Sequence, residues 1–347
     1  MTRRARTVRR LAVLAVGLCL AGLTACGSSW RGSADALRLG YMPNLTHAPA
    51  IVGVEEGYFA EALGQDVRLS TMTFNAGPLV IEALNAGSID AAFVGPNPTI
   101  NGFVRSGGLS LRVVAGAASG GAFLVVREGI SSPQDLRGTR IATPQLGNTQ
   151  DVAARHWLAE QGLETTTTGG GDVQILPQSN ATALQSLLAG DVDGAWVPEP
   201  WASRFVLQGG AHVLVDEAEL WPDGKFLVTN LVVRTGYLES HPENVASLID
   251  GLLDTLEHIE ADPDGSLRTV DDSIVALTRS TMGLDVLTAA WDNVEFTYDP
   301  LVATMRDTAE HAHGLGLLDD PDLEGLWELE LLDRALEARG REAVSTS

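Results

Sequence analysis

One segment of this chain occurs twice. Residues 86–96, with the sequence AGSIDAAFVGP, align without a gap with residues 189–199, AGDVDGAWVPE, which lie 103 positions later. Thr46 and Thr149 have the same separation. Solenoid repeats have shorter periods of roughly 20 to 50 residues, so this duplication predicts two similar α/β lobes with a cleft between them. A chance recurrence of a helix, an AG turn and an apolar strand is the alternative interpretation.

The first two thirds of the chain alternate between short apolar segments and helical patterns. Strands separated by helical patterns of roughly 10 to 15 residues are typical of βαβ units and parallel sheets. We therefore predict an α/β fold with strands near residues 37–41, 67–72, 90–94, 111–115, 122–126, 139–142, 172–176, 193–197, 212–215 and 226–233.

The remaining third has a different character, because every periodic segment after Arg234 is helical. We expect an all-helical attachment that packs against the first lobe, with no strand and with helices at 241–260, 266–279, 285–293, 301–313 and 323–339.

Two apolar strands mark the points where the chain changes lobe. Ala122–Val126 follows the last strand of the first lobe, and Phe226–Val233 precedes the C-terminal helices. The predicted domains are lobe one at 37–121 plus 231–347 and lobe two at 122–230. Two crossings of this kind form a hinge that lets two lobes close around a ligand.

The first 25 residues have the three parts of a secretory signal peptide, namely five arginines, the apolar run Leu11–Leu23 and small residues before a cysteine. The apolar run is too short to span a bilayer. The sequence LTACG resembles the lipobox of bacterial lipoproteins, so we predict lipidation at Cys26 and a flexible tether at 26–36. An ordinary signal with an incidental cysteine is the alternative. Cleavage also removes Cys19, so no disulfide forms and the exported chain depends on an ordinary core.

The composition is acidic, with 45 Asp and Glu residues against 23 Lys and Arg residues and a formal net charge of −22. Removal of the arginine-rich leader makes the exported part more acidic still. Because proteins bind nucleic acid largely through cationic side chains, this charge argues against a nucleic-acid partner.

Polar residues follow the predicted strands in both lobes, at the strand ends where open α/β sheets bind ligands. These loops are PNLTH at 43–47, NAGP at 75–78, GPNP at 95–98, GNTQ at 147–150, SNAT at 179–182 and PEPW at 198–201. None of them contains Lys or Arg. Asn, Ser and Thr at these helix starts cap unpaired main-chain N–H groups. The free N–H donors of a helix start, together with the positive end of the helix dipole, favour an anion. In the alternative interpretation each residue only caps its own helix, which stabilises that helix by about 1 kcal/mol.

Three residues of these loops have two open interpretations each. His47 donates a hydrogen bond to an anion when it is protonated, or it caps a helix. Trp201 forms an apolar wall of the cleft, or it belongs to the core. Glu199 repels an anion unless it pairs with Arg204 or meets an ammonium group on the ligand.

Signatures of catalysis are missing from the sequence. It contains no GxSxG, HExxH, CxxC or Walker motif, and no GxGxxG follows a strand. His311 and His313 have no carboxylate cluster nearby, so we interpret them as a solvent-facing pair. The sequence therefore predicts a binding protein with no catalytic residue, no cofactor and no metal site.

Several segments carry a family resemblance. They are LGYMPNLTHAPA at 39–50 with EEGYF at 55–59, GSIDAA at 87–92, ATPQLGNTQD at 142–151 and GAWVPEPW at 194–201. In these segments the chain resembles the solute-binding proteins of ABC importers for nitrate, sulfonate, taurine and bicarbonate. The likeness covers nearly the whole exported chain and is greatest for the aliphatic-sulfonate branch.

The resemblance implies a type II periplasmic-binding fold, in which a small anion is captured between two lobes and delivered to a membrane permease that a separate ATPase drives. It implies an exported monomer, held on the outer face of the cell membrane by the lipid at Cys26. The resemblance places ligand contacts at Asn44, Thr46, His47, Asn75, Gly77, Asn97, Asn148, Thr149, Gln150 and Trp201, and the strand-end loops add Asn180 and Glu199.

An alkanesulfonate or a taurine-type sulfonate is the predicted ligand. Glu199 departs from the family pattern, in which an uncharged residue or aspartate precedes the Pro-aromatic pair. Nitrate, bicarbonate and a thiamine-precursor pyrimidine are therefore alternative ligands. An exported enzyme on the same scaffold and a sensor that presents its ligand to a receptor are the alternative classes.

Overall fold

The computed structural model describes residues 35–344. The predicted signal peptide, the lipidation site Cys26 and nearly all of the tether lie outside these residues. Asp35 and Ala36, the last two residues of the predicted tether, belong to the first strand. No helix within residues 35–344 combines the length and the apolar character that crossing a bilayer requires.

The strands of residues 35–344 form two sheets. Each of the ten predicted strands overlaps an observed one. The strands are β1 Asp35–Tyr41, β2 Val67–Thr73, β3 Ala91–Val94, β4 Leu111–Gly120, β5 Ala122–Val126, β6 Arg140–Thr143, β7 Gln174–Pro177, β8 Gly194–Pro198, β9 His212–Asp216, β10 Leu227–Arg234 and β11 Val294–Phe296.

Helices connect these strands and form most of the C-terminal third. Each predicted C-terminal helix overlaps an observed one. The α-helices are α1 Ala48–Glu55, α2 Tyr58–Leu63, α3 Gly77–Asn85, α4 Pro96–Arg105, α5 Thr149–Glu160, α6 Asn180–Ala189, α7 Trp201–Gly209, α8 Thr235–Ser240, α9 Pro242–Ala261, α10 Pro263–Thr278, α11 Leu284–Trp291, α12 Val302–Gly314 and α13 Glu330–Ala338.

The two sheets share one strand order. The first is β2-β1-β3-β10-β4 with β11 added beside β4, and the second is β7-β6-β8-β5-β9. β1 pairs with β3 in parallel, with Gly40 opposite Ala92, and β6 pairs with β8 in parallel, with Ala142 opposite Ala195. The repeat in the sequence therefore corresponds to a repeated sheet, which confirms the prediction of two α/β lobes.

β5 and β10 are the strands by which the chain changes lobe. β5 follows β4 after Gly121 alone yet belongs to the second sheet, and β10 returns to the first. Gly120 and Gly121 make this turn with φ angles of +80° and +69°, which favour glycine. The two predicted crossover strands are confirmed. β10 already begins at Leu227, before the predicted return to lobe one, and the lobe boundaries themselves stay a prediction.

The expectation of parallel sheets is wrong for the crossover strands. β10 is antiparallel to β3 and β4, and β5 is antiparallel to β8 and β9. The residues that follow β1, β3, β6 and β8 all line one cavity, so these strands end at the cleft. A strand that arrives from the other lobe begins at the cleft and therefore runs the opposite way.

The expectation that the C-terminal third contains no strand is also wrong. β11 pairs antiparallel with β4, with Val294 opposite Gly120 and Phe296 opposite Ala118. Without β11, β4 would be the edge of the first sheet and would expose its N–H and C=O groups. Three residues are too few to produce a periodic signal between two helices, so the sequence does not reveal this strand.

Apolar side chains cover both faces of each sheet. In the first lobe one cluster joins Phe59 and Phe93 to Leu248 of α9, and the cluster on the opposite face includes Ile100 and Met305. α9 and α10 both pack on α1, which confirms that the C-terminal helices cover the first lobe. The second lobe has its own cluster on each face. Each sheet therefore has apolar clusters on both of its faces, and the strand ends between the lobes are left free for a site.

Candidate functional site

A cavity of about 550 Å³ lies between the carboxyl ends of the two sheets. Its walls come from the segments that follow β1, β2 and β3 in the first sheet and β6, β7 and β8 in the second. Nine of the twelve predicted ligand-binding residues line this cavity: Asn44, Thr46, His47, Asn75, Asn148, Thr149, Gln150, Asn180 and Trp201. Thr46 and Thr149, the repeat-related pair, thus face one shared space.

The loop before α5 is held rigidly by Asp151. Its carboxylate accepts hydrogen bonds from Thr143 Oγ1 at 2.7 Å, from the main-chain N–H of Gly147 at 2.9 Å and from Arg155 Nε at 2.9 Å. Asp151 and Arg155 are both buried. This buried pair fixes the start of α5, whose first turn faces the cavity.

The first turn of α5 presents hydrogen-bond donors to the cavity. Asn148 caps the helix by accepting from the N–H of Thr149 at 2.8 Å, and the N–H groups of Asp151 and Val152 bond to Asn148 O. The N–H of Gln150 belongs to the first turn, where a helix supplies no acceptor. Together with the positive end of the helix dipole, this turn favours a negative group.

The hydroxyl of Thr149 is buried and has no hydrogen-bond partner among the described residues. It lies against Gly95 of the other lobe: a Cβ atom at Gly95 would come within 2.7 Å of Thr149 Oγ1. The two lobes therefore meet at this point, and the absence of a side chain at Gly95 is what lets them approach. The same contact leaves the Thr149 hydroxyl beside the cavity.

Helix capping accounts for few of the predicted residues. Asn44 makes no capping hydrogen bond, and Ala76 rather than Asn75 occupies the N-cap of α3. The N-cap of α6 is Ser179, whose Oγ accepts from the N–H of Thr182, whereas Asn180 is the first helical residue. Among these residues only Asn148 and Ser179 cap through their side chains, so the interpretation as ordinary caps does not explain the rest.

His47 is neutral in the folded protein. Complete burial lowers the pKa of His47 to about 3, and the side chain makes no capping hydrogen bond to α1. Nδ1 accepts from the N–H of Met42 over a long 3.5 Å, which leaves the ring hydrogen on Nε2. His47 can therefore donate a hydrogen bond in the cavity without a positive charge, which is neither of the two interpretations from the sequence.

Three predicted contacts do not line the cavity. Gly77 starts α3 and packs so closely on Pro98 that a Cβ atom would come within 2.4 Å of the proline ring. Asn97 is buried in the first turn of α4, where neither side-chain amide atom has a partner among the described residues. The third is Glu199.

Glu199 is buried directly after β8 and does not line the cavity. Its carboxylate accepts from the N–H of Ser203 at 3.0 Å, from Ser203 Oγ at 2.8 Å and from Asn293 Nδ2 at 2.7 Å. Burial raises the pKa of Glu199 above its usual value, and these hydrogen bonds oppose that rise. Among the described residues Glu199 makes no ion pair with Arg204, because its carboxylate bonds to Ser203 and Asn293 instead. A contact between Glu199 and a ligand ammonium group stays a prediction.

Arg204 also lines the cavity, and it was not among the predicted ligand-binding residues. Its guanidinium lies over the ring of Trp201, 5.3 Å from the ring centroid. Nε donates to Gln208 at 2.9 Å and Nη1 donates to the sulfur of Met282 at 3.4 Å. The available signal was helical spacing, because residues three apart lie on the same face of a helix, which puts Arg204 beside Trp201. Trp201 itself both lines the cavity and packs against the core clusters.

The remaining walls of the cavity are largely apolar. Met42, Phe74 and Val228 come from the first lobe, Leu184 comes from the second, and Met282 comes from the segment before α11. The contribution of Thr278, Ser280 and Met282 was also not predicted, because these residues belong to the helical attachment and lie far away in the sequence.

The interpretation of His311 as solvent-facing is wrong. Its ring stacks on His156 of α5, with the ring centroids 3.5 Å apart and the planes inclined by 13°. Burial and the neighbouring His156 lower the pKa of His311 to about 4. His313 is exposed, as expected, although its Nδ1 contacts Leu318 O at 3.2 Å. His311 therefore joins α12 to the second lobe.

Comparisons with known proteins agree with this geometry. Residues 32–268 match the NMT1-like family. The chain is 29% identical over 278 residues to a putative aliphatic sulfonates-binding protein of Escherichia coli strain K12, an alignment that covers 78% of this chain and 79% of the relative.

Two solved structures have the same fold. The alkanesulfonate-binding protein SsuA from Xanthomonas axonopodis pv. citri, bound to MOPS, superposes with a TM-score of 0.69 at 23% identity, covering 83% of this chain and 95% of that one. The periplasmic nitrate-binding protein NrtA from Synechocystis PCC 6803 gives a TM-score of 0.73 at 15% identity, covering 88% and 89%. The predicted periplasmic-binding fold is thereby confirmed.

Proposed function

The chain belongs to the NMT1-like family, and from this premise we propose that it is the solute-binding protein of an ABC importer. In this proposal it captures a small organic sulfonate of the alkanesulfonate or taurine type between its two lobes and delivers it to a permease. The sulfonate-binding relative and the sulfonate-binding structure support this choice of ligand.

The charge of the cavity lining is the observation that carries the proposal. In a chain with a net charge of −22, the described residues that line the cavity include one charged cation, Arg204, and no Asp or Glu. The positive end of α5 opens on the same cavity. An anion is the ligand that such a lining stabilises.

We assign the sulfonate group to the first turn of α5. The buried hydroxyl of Thr149 and the main-chain N–H of Gln150 are donors there, and the neutral His47 offers Nε2–H. The amide and hydroxyl side chains that surround this position and complete the proposed contacts are those of Asn44, Thr46, Asn75, Asn148 and Asn180.

The apolar walls favour a ligand with an organic body. Nitrate is the second candidate, because the nitrate-binding structure superposes well. A four-atom ion would leave most of a 550 Å³ cavity without contacts, and it would not use the faces of Phe74 and Trp201. A sulfonate with a carbon tail fills this space and buries apolar surface, which contributes roughly 25 cal/mol for each Å².

We propose binding rather than turnover. A general acid or base works best with a pKa near the working pH, and a pKa of about 3 makes His47 unsuited to that role at neutral pH. The relatives named above are likewise binding proteins.

The remaining parts of the proposal concern the cellular context. We propose export, lipidation at Cys26 and attachment to the outer face of the cell membrane as a monomer, with the permease and its ATPase as partners. The lobes at 37–121 plus 231–347 and at 122–230 would close on the ligand about the turn at Gly120 and Gly121.

A thermal-shift series on the mature chain without its lipid tests the ligand. Methanesulfonate, taurine and longer alkanesulfonates are compared with nitrate, bicarbonate and an aminopyrimidine. A ligand present at 100 times its Kd adds about 2.7 kcal/mol to the free energy of unfolding, so binding raises the Tm measurably. The variant Thr149→Val should reduce the shift for every sulfonate.

A flat response to every sulfonate, together with a shift for nitrate or the aminopyrimidine, would replace the proposed ligand. Turnover of a bound compound, followed by mass spectrometry, would overturn the assignment as a binding protein.

A further inference from the structure

Arg204 presents a partly free guanidinium to the cavity. Of the five N–H donors of an arginine side chain, the hydrogen bonds within residues 35–344 use two, at Gln208 and Met282. Both acceptors are uncharged, and so is Trp201, on which the guanidinium stacks. The cation–π contact with Trp201 holds the guanidinium beside the cavity, where its remaining N–H donors are available to an acid group of a ligand.

Arg204 and the start of α5 belong to helices on opposite faces of the second sheet, because α5 packs in one core cluster of that lobe and α7 packs in the other. Thr149 touches Gly95 on the side where α5 packs on α4 and α12. Arg204 contacts Met282 on the side where α7 packs on α11. Both residues line the cavity, so the cavity has one site for a negative group at the first turn of α5 and another at Arg204.

The cavity that both sites line is larger than a small sulfonate needs. The volume is about 550 Å³ even though Thr149 and Gly95 are already in contact. Pockets of roughly 300 to 1,000 Å³ hold molecules much larger than methanesulfonate or taurine. Phe74, Met42 and the ring of Trp201 give this space apolar walls.

We propose that Arg204 determines specificity by binding a second anionic group, so that the protein prefers sulfonates with a carboxylate or sulfonate at their far end. The ligand class is an organic dianion with a short aliphatic or aromatic body, such as an ω-sulfocarboxylate or a sulfobenzoate. This inference rests on the proposed function, because it places the first sulfonate at Thr149 and Gln150.

Matched pairs of ligands test the proposal by calorimetry on the mature chain. 4-Sulfobenzoate is compared with 4-toluenesulfonate, in which a methyl group replaces the carboxylate. ω-Sulfocarboxylates from 3-sulfopropionate to 6-sulfohexanoate are compared with the corresponding alkanesulfonates. We expect the dianion that spans the cavity to bind at least about tenfold more tightly than its monoanionic partner, because it adds a charge-assisted bidentate contact.

Substitutions separate the two sites. Arg204→Gln should abolish the preference for dianions, because it should weaken each dianion at least about tenfold more than its monoanionic partner. Arg204→Lys should keep part of the preference, since it retains the charge but loses the planar fork. Thr149→Val should weaken both members of each pair by a similar factor. Arg334→Gln is the matched control, because Arg334 is exposed on α13 and pairs with Glu330 outside the cavity.

Two results would overturn the inference alone. One is a wild-type protein that binds monoanions but shows no preference for any dianion. The other is a loss in Arg204→Gln that is equal for both members of every pair, which would mean that Arg204 binds the only acid group or acts through the fold. The Tm of each ligand-free variant distinguishes these two cases. Failure of every sulfonate to bind would instead overturn the proposed function, and the inference with it.

Discussion

The two copies of the repeated segment begin alike and end differently. At the start of each, an aspartate accepts hydrogen bonds from arginine side chains: Asp90 from Arg38 and Arg234, and Asp193 from Arg127. Asp90 stands just before β3, which pairs in parallel with β1, and Asp193 stands just before β8, which pairs in parallel with β6. The features that both copies share are therefore the parallel strand pair and the aspartate that accepts hydrogen bonds from arginine beside it.

The strand ends that follow have separate roles. In the first copy, Gly95 leaves the room that lets Thr149 of the other lobe approach. In the second copy, Glu199 is buried and joins the start of α7, through Ser203, to Asn293 of the C-terminal region. The strand end at Gly95 thus allows the two lobes to make contact. The strand end at Glu199 links the second lobe to the C-terminal region. A repeat can fix architecture without fixing what each copy contacts.

The largest expected effect tests the buried carboxylate of the second copy. Glu199→Ala should lower the free energy of unfolding by about 3 kcal/mol, because three donors from Ser203 and Asn293 lose their acceptor. Pro96→Ala, at the equivalent position of the first copy, should cost less than about 1 kcal/mol. Denaturant unfolding of both variants measures the difference. Equal decreases in the free energy of unfolding would show that the two strand ends contribute equally to stability.

The second prediction concerns the loops after β1 and β6, where His47 of lobe one corresponds to Gln150 of lobe two. The pKa of His47 is about 3 in the folded protein and about 6.5 when unfolded. Between these values the unfolded chain binds a proton that the folded chain does not, so stability falls as the pH is lowered from 6.5 towards 3.

His47→Gln makes the two loops alike and should remove this part of the acid sensitivity. Between pH 7 and pH 5 the free energy of unfolding of the wild type should fall by about 2 kcal/mol more than that of the variant. Free energies of unfolding measured from pH 7 to pH 5 test the expectation, with the exposed His313→Gln as a control. Parallel curves for wild type and His47→Gln would contradict it.

The third prediction tests the contact between the lobes. Gly95→Ala should raise the Kd of the bound solute about tenfold, since the new methyl group meets Thr149 Oγ1 and keeps the lobes apart. The free energy of unfolding should change by less than about 1 kcal/mol. Gly314→Ala, where a Cβ atom meets no neighbour within 4 Å, is the control. An unchanged Kd, or an unchanged radius of gyration in solution scattering, would contradict the role of Gly95.

The smallest expected effect compares the two anchoring aspartates. Asp90 is almost fully buried, with its side chain 2% exposed, whereas Asp193 is 14% exposed. Burial alone raises the pKa of Asp90, but hydrogen bonds from Arg38 and Arg234 outweigh it and hold the pKa below its usual value. For Asp193, burial is likewise outweighed by hydrogen bonds from Arg127 and from the main chain of Arg140, and its pKa is also lowered.

Because both pKa values are lowered in the folded state, the stability that these groups supply is present above about pH 4 and is lost as the pH falls further. Asp90→Asn should lower the free energy of unfolding at pH 7 by about 1 kcal/mol more than Asp193→Asn does. Asp90 is the more deeply buried of the two and accepts more hydrogen bonds from arginine side chains. Denaturant unfolding at pH 7 and pH 3 tests this order. A larger loss of stability in Asp193→Asn than in Asp90→Asn would show that side-chain exposure does not determine the size of the loss.

Local sequence was sufficient for most of the fold. Each of the ten predicted strands has an apolar run that is long enough to be recognised in the sequence. The crossover strands Ala122–Val126 and Leu227–Arg234 are among them. The direction of these two strands was not predictable from periodicity, since an apolar run looks the same in either direction. β11 was missed because three residues become a strand only where the edge of β4 is available.

The site was predictable where the strand-end rule applied. Asn44, Thr46, Asn148 and Thr149 follow strands and line one cavity. Glu199 follows a strand as well, yet Asn293, 94 residues away, provides a partner that turns its carboxylate inward. The repeat gave no indication of such a partner, because the C-terminal region is not part of it.

The sequence by itself determined the two-lobed frame, the crossings between the lobes and the family, because these depend on apolar periodicity and on short motifs that are local in the chain. Only the tertiary structure decided the electrostatics of the cavity. The position of Arg204 beside Trp201 and Met282, the loss of charge at His47 and the burial of Glu199 all depend on which distant groups approach and exclude water. Desolvation and hydrogen bonding to such groups set charge and binding capacity, and neither is encoded within a few residues of the side chain concerned.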